Sequence, residues 1–221
     1  MAKRDILRAI DHTQLKTTAT WDDISQLCDE AILAGAATVC IPPSYVAGAC
    51  AYVRGKIPIC TVSGFPNGYQ TTAVKCFETE EALRNGAAEI DMVVHQGDVK
   101  DGRWMEIQAE IEAIKRLCGE RILKVIVETC YLTEAEKIKL CEIVSITGAD
   151  FIKTSTGFGT AGATLEDCAL FRRHLASHVQ IKAAGGIRSI AMAQAFLDIG
   201  VTRLGSSSLI GMLNAAEPSE K

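Results

Sequence analysis

The sequence predicts an α/β protein built as a (β/α)8 TIM barrel, and three observations carry that expectation. Short β-branched runs alternate with helical patterns along the chain, as parallel βαβ units require. Eight such units fit within 221 residues, which suits one compact barrel better than an open doubly wound sheet. Four helical patterns close on a glycine, and each glycine is followed five residues later by a chemically singular residue. Residues 1–221 therefore read as a single barrel domain.

A weak first strand is expected near Asp11 to Leu15. Asp22 to Ala34 then places Ile24, Leu27, Cys28, Ala31 and Ile32 at helical spacing and stops at Gly35, ahead of the strand TVCI (38–41). PICTV (58–62) is the third strand, and the overlapping TVSGFPNG (61–68) has the composition of a tight loop at the barrel mouth, where it would shape a pocket. EIDMVV (89–94) is the fourth strand and follows Gly86. Trp104 to Cys118 carries Ile107, Ile111, Ile114 and Leu117 along one helical face and leads into ILKVIV (122–127). Thr133 with Glu136 forms a capping box for a helix ending near Gly148, before DFIKT (150–154). Thr164 and Ser189 are helix caps on either side of VQIKA (179–183), and VTRLG (201–205) is the eighth strand.

The interior of such a barrel is packed in layers of four side chains drawn from alternate strands. The pairs Gly35 and Cys40, Gly86 and Asp91, Gly148 and Lys153, and Gly200 and Gly205 fall on strands 2, 4, 6 and 8. Equal offsets place Cys40, Asp91, Lys153 and Gly205 at one level, with Lys182 on strand 7 at the next.

Composition excludes several classes of function. With 48% hydrophobic and 23% charged residues the chain can bury a large core. A formal net charge of -4 lacks the basic footprint of a nucleic-acid binder, so an anionic ligand needs a local site. Charges at Lys3, Arg4, Asp5 and Arg8 leave no signal peptide, and Pro42 and Pro43 break the apolar tract from Ala31 to Val53, so no membrane span is expected. Nine cysteines without a CxxC pair read as reduced thiols of a cytoplasmic protein. His12, His95, His174 and His178 show no ligand spacing, so no metal is expected. Cys40 reads as packing, because no histidine is placed to activate it.

Three strand lysines, Lys124, Lys153 and Lys182, stand on consecutive strands 5, 6 and 7. One lysine can snorkel to water from a sheet edge; three in succession are harder to explain that way. Only a neutral amine adds to a carbonyl to form a Schiff base, and an ordinary lysine, at about 10.4, is almost wholly protonated at neutral pH. A second ammonium about 6 Å away repels by roughly 3 kcal/mol at an effective dielectric near 20, which favours a neutral neighbour. Asp91, at the level of Lys153, suits general acid–base work; a salt bridge to Lys124 or Lys182 is the alternative, and the two uses are compatible.

The strand 7 and 8 loops read AAGGIRS (183–189) and GSSSLIG (205–211). Glycines let backbone approach a ligand, amides and hydroxyls donate to anions, and these loops are the usual phosphate site of this barrel. Gly157 adds an amide after strand 6, while Arg188 either holds the phosphate or neutralises its surroundings. On residues alone a sugar-phosphate isomerase with a carboxylate base and a sensor without turnover stay open beside an imine-forming aldolase.

The chain also resembles the deoxyribose-phosphate aldolase family over nearly its whole length. The resemblance rests on DHTQLK (11–16), TVSGFPNG, EIDMVV, KVIVET (124–129), DFIKTSTGF (150–158), IKAAGGIR (181–188) and RLGSSS (203–208). It implies a class I aldolase without metal or cofactor that reversibly cleaves 2-deoxy-D-ribose 5-phosphate to D-glyceraldehyde 3-phosphate and acetaldehyde in deoxyribonucleotide catabolism. By that resemblance Lys153 matches the Schiff-base lysine, Lys182 the lysine that perturbs its proton affinity, and Asp91 the aspartate of the proton relay. Gly157, Gly185, Gly186, Gly205, Ser207 and Ser208 match positions around the phosphate, and Asp11 falls in a motif near the site. Phe158 stands where some members carry a phosphate-binding lysine, which shifts the load to backbone amides. The ending NAAEPSEK lacks the tyrosine that closes some members, so the relay works without it or turnover is slower. Barrels of this size often pair, so a homo-oligomer, dimer or tetramer, is expected.

Overall fold

A computed structural model describes residues 3–215; most of the tail named above, residues 216–221, lies outside them. Eight parallel strands pair in sequence order and close on themselves: β1 (Ile10–Thr13), β2 (Thr38–Ile41), β3 (Ile59–Ser63), β4 (Glu89–Val93), β5 (Ile122–Ile126), β6 (Phe151–Lys153), β7 (Gln180–Ala184) and β8 (Arg203–Ser206). Pairing of β1 with both β2 and β8 makes the closure. The helices are α1 (Lys3–Arg8), α2 (Trp21–Ala34), α3 (Val46–Val53), α4 (Thr72–Arg84), α5 (Gln96–Lys100), α6 (Trp104–Cys118), α7 (Glu134–Ile146), α8 (Leu165–His174), α9 (Ile190–Asp198) and α10 (Leu209–Ala215). The result is the (β/α)8 barrel the alternation predicts.

Local chemistry sets the boundaries. The Thr133 hydroxyl accepts the Glu136 N–H at 3.3 Å while the Glu136 carboxylate accepts the Thr133 N–H at 2.7 Å, closing the expected capping box of α7. Thr164 and Ser189 accept the N–H groups of Asp167 and Met192 and so start α8 and α9. α2 ends at Gly35, whose φ of 68° is the left-handed value that glycine adopts without strain. β1 begins one residue before the expected span and stops at Thr13, where the Thr13 hydroxyl turns back to the Asp11 carbonyl at 2.8 Å.

Strand residues point alternately in and out. Outward Ile90, Met92, Leu123, Val125, Ile152 and Ile181 join the main core with the buried faces of the helices, among them Ile24 and Leu27 of α2 and Ile107, Ile111 and Ile114 of α6. Inside the barrel the apolar contribution is small, a cluster of Cys40, Cys60 and Val62. Most of the lumen is charged. Following the register around the barrel, each second strand advances by two residues at constant height. Cys40, Asp91, Lys153 and Gly205 therefore form one layer, as the glycine offsets predict, and Asp11, Cys60, Lys124 and Lys182 form the layer beneath. Among the described residues no helix is long and apolar enough to cross a membrane.

Candidate active site

Seven charged side chains meet inside the barrel, and Asp91 is their centre. Its Oδ1 accepts from Lys124 Nζ at 2.7 Å and from Cys60 Sγ at 3.2 Å. Its Oδ2 accepts from Lys153 Nζ at 2.8 Å and from Lys182 Nζ at 2.7 Å. Lys182 also pairs with Asp11, which takes bonds from Thr38 Oγ1 at 2.7 Å and Arg203 Nη1 at 2.6 Å. Glu89 accepts from Arg203 at 2.9 Å and from Lys124 at 2.6 Å. The anticipated salt bridges of Asp91 to Lys124 and Lys182 thus both form, and both leave Asp91 in contact with Lys153.

Charge explains the ionisation of this cluster. Burial pushes the Asp91 carboxyl up, but Lys124, Lys153 and Lys182 together hold it well below the usual carboxylate range. Asp11 is held low in the same way, by Lys182, Lys124 and Arg203 against burial. Burial pulls Lys182 down, yet Asp11 and Asp91 outweigh it and keep the ammonium charged; for Lys124 the raising partners are Asp91, Cys60, Asp11 and Glu89. Three carboxylates, Asp11, Glu89 and Asp91, balance three cations, Lys124, Lys182 and Arg203, without any contribution from Lys153. Two donor sets are compact enough for a metal ion, Cys40–Cys60–Asp91 and Asp11–Cys60–Glu89. Their carboxylates already bind ammonium or guanidinium groups, which a metal would have to displace.

Above Lys153 opens a cavity of about 310 Å³ at the carboxyl ends of the strands. Thr156, Gly157 and Phe158 line it after β6, Gly185, Gly186 and Arg188 after β7, and Gly205, Ser207 and Ser208 from β8 onward. Gly157, Gly185 and Gly186 have φ of 89°, 81° and 75°, which allows the backbone itself to form the wall. The N–H groups of Gly157, Gly186 and Ser207 have no partner among the described residues, whereas the Ser208 N–H is taken by Ser206 Oγ at 3.2 Å. Arg188 and Lys16 stand exposed at the rim, neither in a salt bridge with another described residue. A β carbon on Gly205 would lie 2.9 Å from Ala184 Cβ and 3.3 Å from Lys182 Cε, so glycine preserves the room above Lys182. Phe158 packs edge-on against Phe65 at 5.4 Å, and with Leu15 it borders a second cavity of about 500 Å³ lined by Pro42, Tyr45, Val62 and Phe65. The TVSGFPNG loop therefore reaches a pocket at the barrel mouth, through Phe65 and Pro66.

Lys153, Lys182 and Asp91 converge on a single carboxylate oxygen, and Gly157, Gly185, Gly186, Gly205, Ser207, Ser208 and Arg188 share one cavity with Lys153. Asp11 does not line that cavity; it is fully buried one layer below, where its carboxylate braces Lys182. Sequence reasoning missed Glu89 and Arg203. The signal was available in the alternation of strands, since each lies two residues before an inward residue, Asp91 and Gly205. It also missed Lys16 at the rim and Glu128 beneath the loop after β6.

An open pocket with a buried amine at its floor, at the carboxyl ends of the barrel strands, lies where (β/α)8 enzymes carry their active sites. The sequence pattern of the DeoC/LacD family aldolases matches residues 6–211. The chain is 55% identical over 217 residues to deoxyribose-phosphate aldolase of Clostridioides difficile (strain 630), covering 98% of this chain and 99% of that one. A crystal structure provisionally named deoxyribose-phosphate aldolase, from Coccidioides immitis, superposes with a TM-score of 0.94 at 38% identity, over 97% of this chain and 87% of that one. Deoxyribose phosphate aldolase from Aeropyrum pernix, described as a unique tetramer, superposes with a TM-score of 0.87 at 28% identity, over 97% and 92% of the two chains. The chain belongs to the DeoC/LacD aldolase family.

Proposed function

We propose that this protein is a class I aldolase that reversibly cleaves 2-deoxy-D-ribose 5-phosphate to D-glyceraldehyde 3-phosphate and acetaldehyde. The observation that carries the reading is Lys153, a buried amine at the floor of the cavity, bonded to an Asp91 oxygen that Lys182 also occupies. Of the lysines in the charged cluster, Lys153 is the one that lines the cavity, so its amine is the one within reach of a substrate carbonyl. The names of the relatives support the substrate, and the glycine and serine wall suits its phosphate.

The Lys153 amine adds to the C1 aldehyde of the open-chain sugar, and loss of water gives an iminium. The C3 hydroxyl then gives up its proton, the C2–C3 bond breaks, and its electron pair moves into the iminium as an enamine, freeing glyceraldehyde 3-phosphate. Protonation at C2 and hydrolysis return the water, release acetaldehyde and regenerate the amine. Asp91 lies at 2.8 Å from the nitrogen that changes protonation, and Lys182 shares its oxygen, so the pair forms the proton path at that atom. Gly157, Gly185, Gly186, Gly205, Ser207 and Ser208 hold the phosphate, and Lys16 and Arg188 supply the compensating charge. The reaction runs without a metal or cofactor, in the cytoplasm, as a step of deoxyribonucleotide catabolism, in a single-domain chain that assembles as a homo-oligomer.

Protein treated with a chelator and given 2-deoxyribose 5-phosphate should release glyceraldehyde 3-phosphate and acetaldehyde in equal amounts. No release, or release only on adding a divalent metal, would refute the reading.

A further inference from the structure

Two non-glycine residues of the described chain sit at positive φ: Arg54, exposed at a helix end, and Glu128, which is 3% exposed. Glu128 has φ 52° and ψ 69°, a conformation that residues with long side chains seldom adopt. Its neighbours are pinned to the strand that carries Lys153. The Val127 N–H donates to the Lys153 carbonyl at 3.0 Å, and the Thr129 N–H to the Thr154 carbonyl at 2.9 Å. Between these bonds the chain turns the Glu128 carboxylate onto the loop after β6.

The Glu128 oxygens accept the Thr156 N–H at 3.3 and 3.2 Å, and Oε2 also accepts the Thr156 hydroxyl. Thr156 Oγ1 in turn accepts the Phe158 N–H at 3.0 Å. Gly157 lies between these two tied residues with its own N–H unpaired, and all three residues line the cavity. A β carbon on Gly159 would meet Cys130 Sγ at 2.8 Å and the Glu128 carboxyl carbon at 3.1 Å, so the loop closes directly over the carboxylate. Glu128 forms no salt bridge with another described residue; besides a long contact from Cys130 Sγ at 3.9 Å, the bonds of its carboxylate go, among the described residues, to Thr156 alone. Backbone strain of this kind persists where the surroundings over-determine it, typically at sites that hold a ligand.

We infer that Glu128 is a positioning residue for the anion pocket: by clamping Thr156 it fixes the Gly157 amide in the wall that receives the substrate phosphate. The inference rests on the proposed use of this cavity for a phosphorylated sugar. It is tested on the whole protein with Glu128→Gly and Glu128→Gln. Glycine accepts the positive φ and removes the clamp without adding backbone strain, whereas glutamine keeps the length and one carbonyl acceptor. Calorimetry with inorganic phosphate gives Kd, and kinetics compare 2-deoxyribose 5-phosphate with 2-deoxyribose. Glu128→Gly should weaken phosphate binding about tenfold. It should lower the preference for the phosphorylated sugar by about the same factor, through KM rather than kcat. Glu128→Gln should fall between it and the wild type. A phosphate Kd within about twofold of wild type, an equal loss on both sugars, or a loss carried by kcat would overturn the inference. Wild-type protein that binds no phosphate would overturn it too, because no anion site would exist to position. If neither sugar is cleaved, the aldolase reading fails while the phosphate titration still decides the role of Glu128.

Discussion

Replacing Asp91 by Asn removes the one negative charge that three lysine side chains share. Asp11 and Glu89 would then face Lys124, Lys182 and Arg203, leaving a surplus positive charge in a buried cluster even with Lys153 neutral. Breaking a buried charge network by deleting one partner costs about 3–5 kcal/mol. For a chain of 221 residues, each kcal/mol lowers Tm by about 2–4 °C, so the expected fall is about 6–20 °C. Adding Lys182→Met to Asp91→Asn removes one positive charge and restores the balance at similar side-chain volume. The double variant should therefore be more stable than the sum of the single losses predicts, with a coupling of about 1–3 kcal/mol. Urea denaturation followed by far-ultraviolet circular dichroism at pH 7 measures this from the midpoints, provided the slopes agree. Asp91→Asn within about 1 kcal/mol of wild type, the scale of an exposed ion pair, or strict additivity in the cycle, would refute the charge-balance reasoning.

Asp11 and Asp91 titrate lower folded than unfolded, so their stabilisation is complete above the ordinary value of 3.8 and is lost as pH falls through the folded values. Lys124 and Lys182 titrate higher folded, so theirs is complete below 10.5 and fades only as pH rises past it. Thermal melts should show an acid limb starting near pH 4 that is shallower in Asp91→Asn; identical limbs in both proteins would contradict this. Gly205→Ala should lower the unfolding free energy by about 1–3 kcal/mol through overpacking on Ala184 and Lys182, read as a lower urea midpoint, and a wild-type midpoint would argue against a tight contact there. Burial pushes the thiols of Cys28 and Cys118 up to about 11 and those of Cys141 and Cys168 to about 12. Native alkylation at pH 8 should leave these four unlabelled while half-buried Cys130 reacts, and equal labelling would contradict their burial.

The height of the reactive layer was legible because helix ends carry their own marker. Gly35, Gly86, Gly148 and Gly200 all take positive φ, so each fixes the start of the next strand to within a residue, and the offset to Cys40, Asp91, Lys153 and Gly205 survives in the barrel. α4 was marked only by its closing glycine, because its buried face carries Lys75 and Thr79 beside Ala82 and Leu83, which hides the apolar period. Lys75 finds its partners far away, at the Val93 carbonyl and Glu110, and such long-range satisfaction leaves no local trace. The same holds for Asp11, whose bond to Arg203 joins the first strand to the last. Glu128 was hidden for a different reason: its part depends on a backbone angle that the residue type disfavours.

In the proposed mechanism Lys153 forms an imine with the substrate carbonyl. Borohydride reduction of the protein with 2-deoxyribose 5-phosphate, followed by mass spectrometry of its peptides, tests this most directly. A stable adduct should form on Lys153 and on no other lysine. Unmodified Lys153 in protein that is turning over substrate, or an adduct on Lys182 instead, would contradict it.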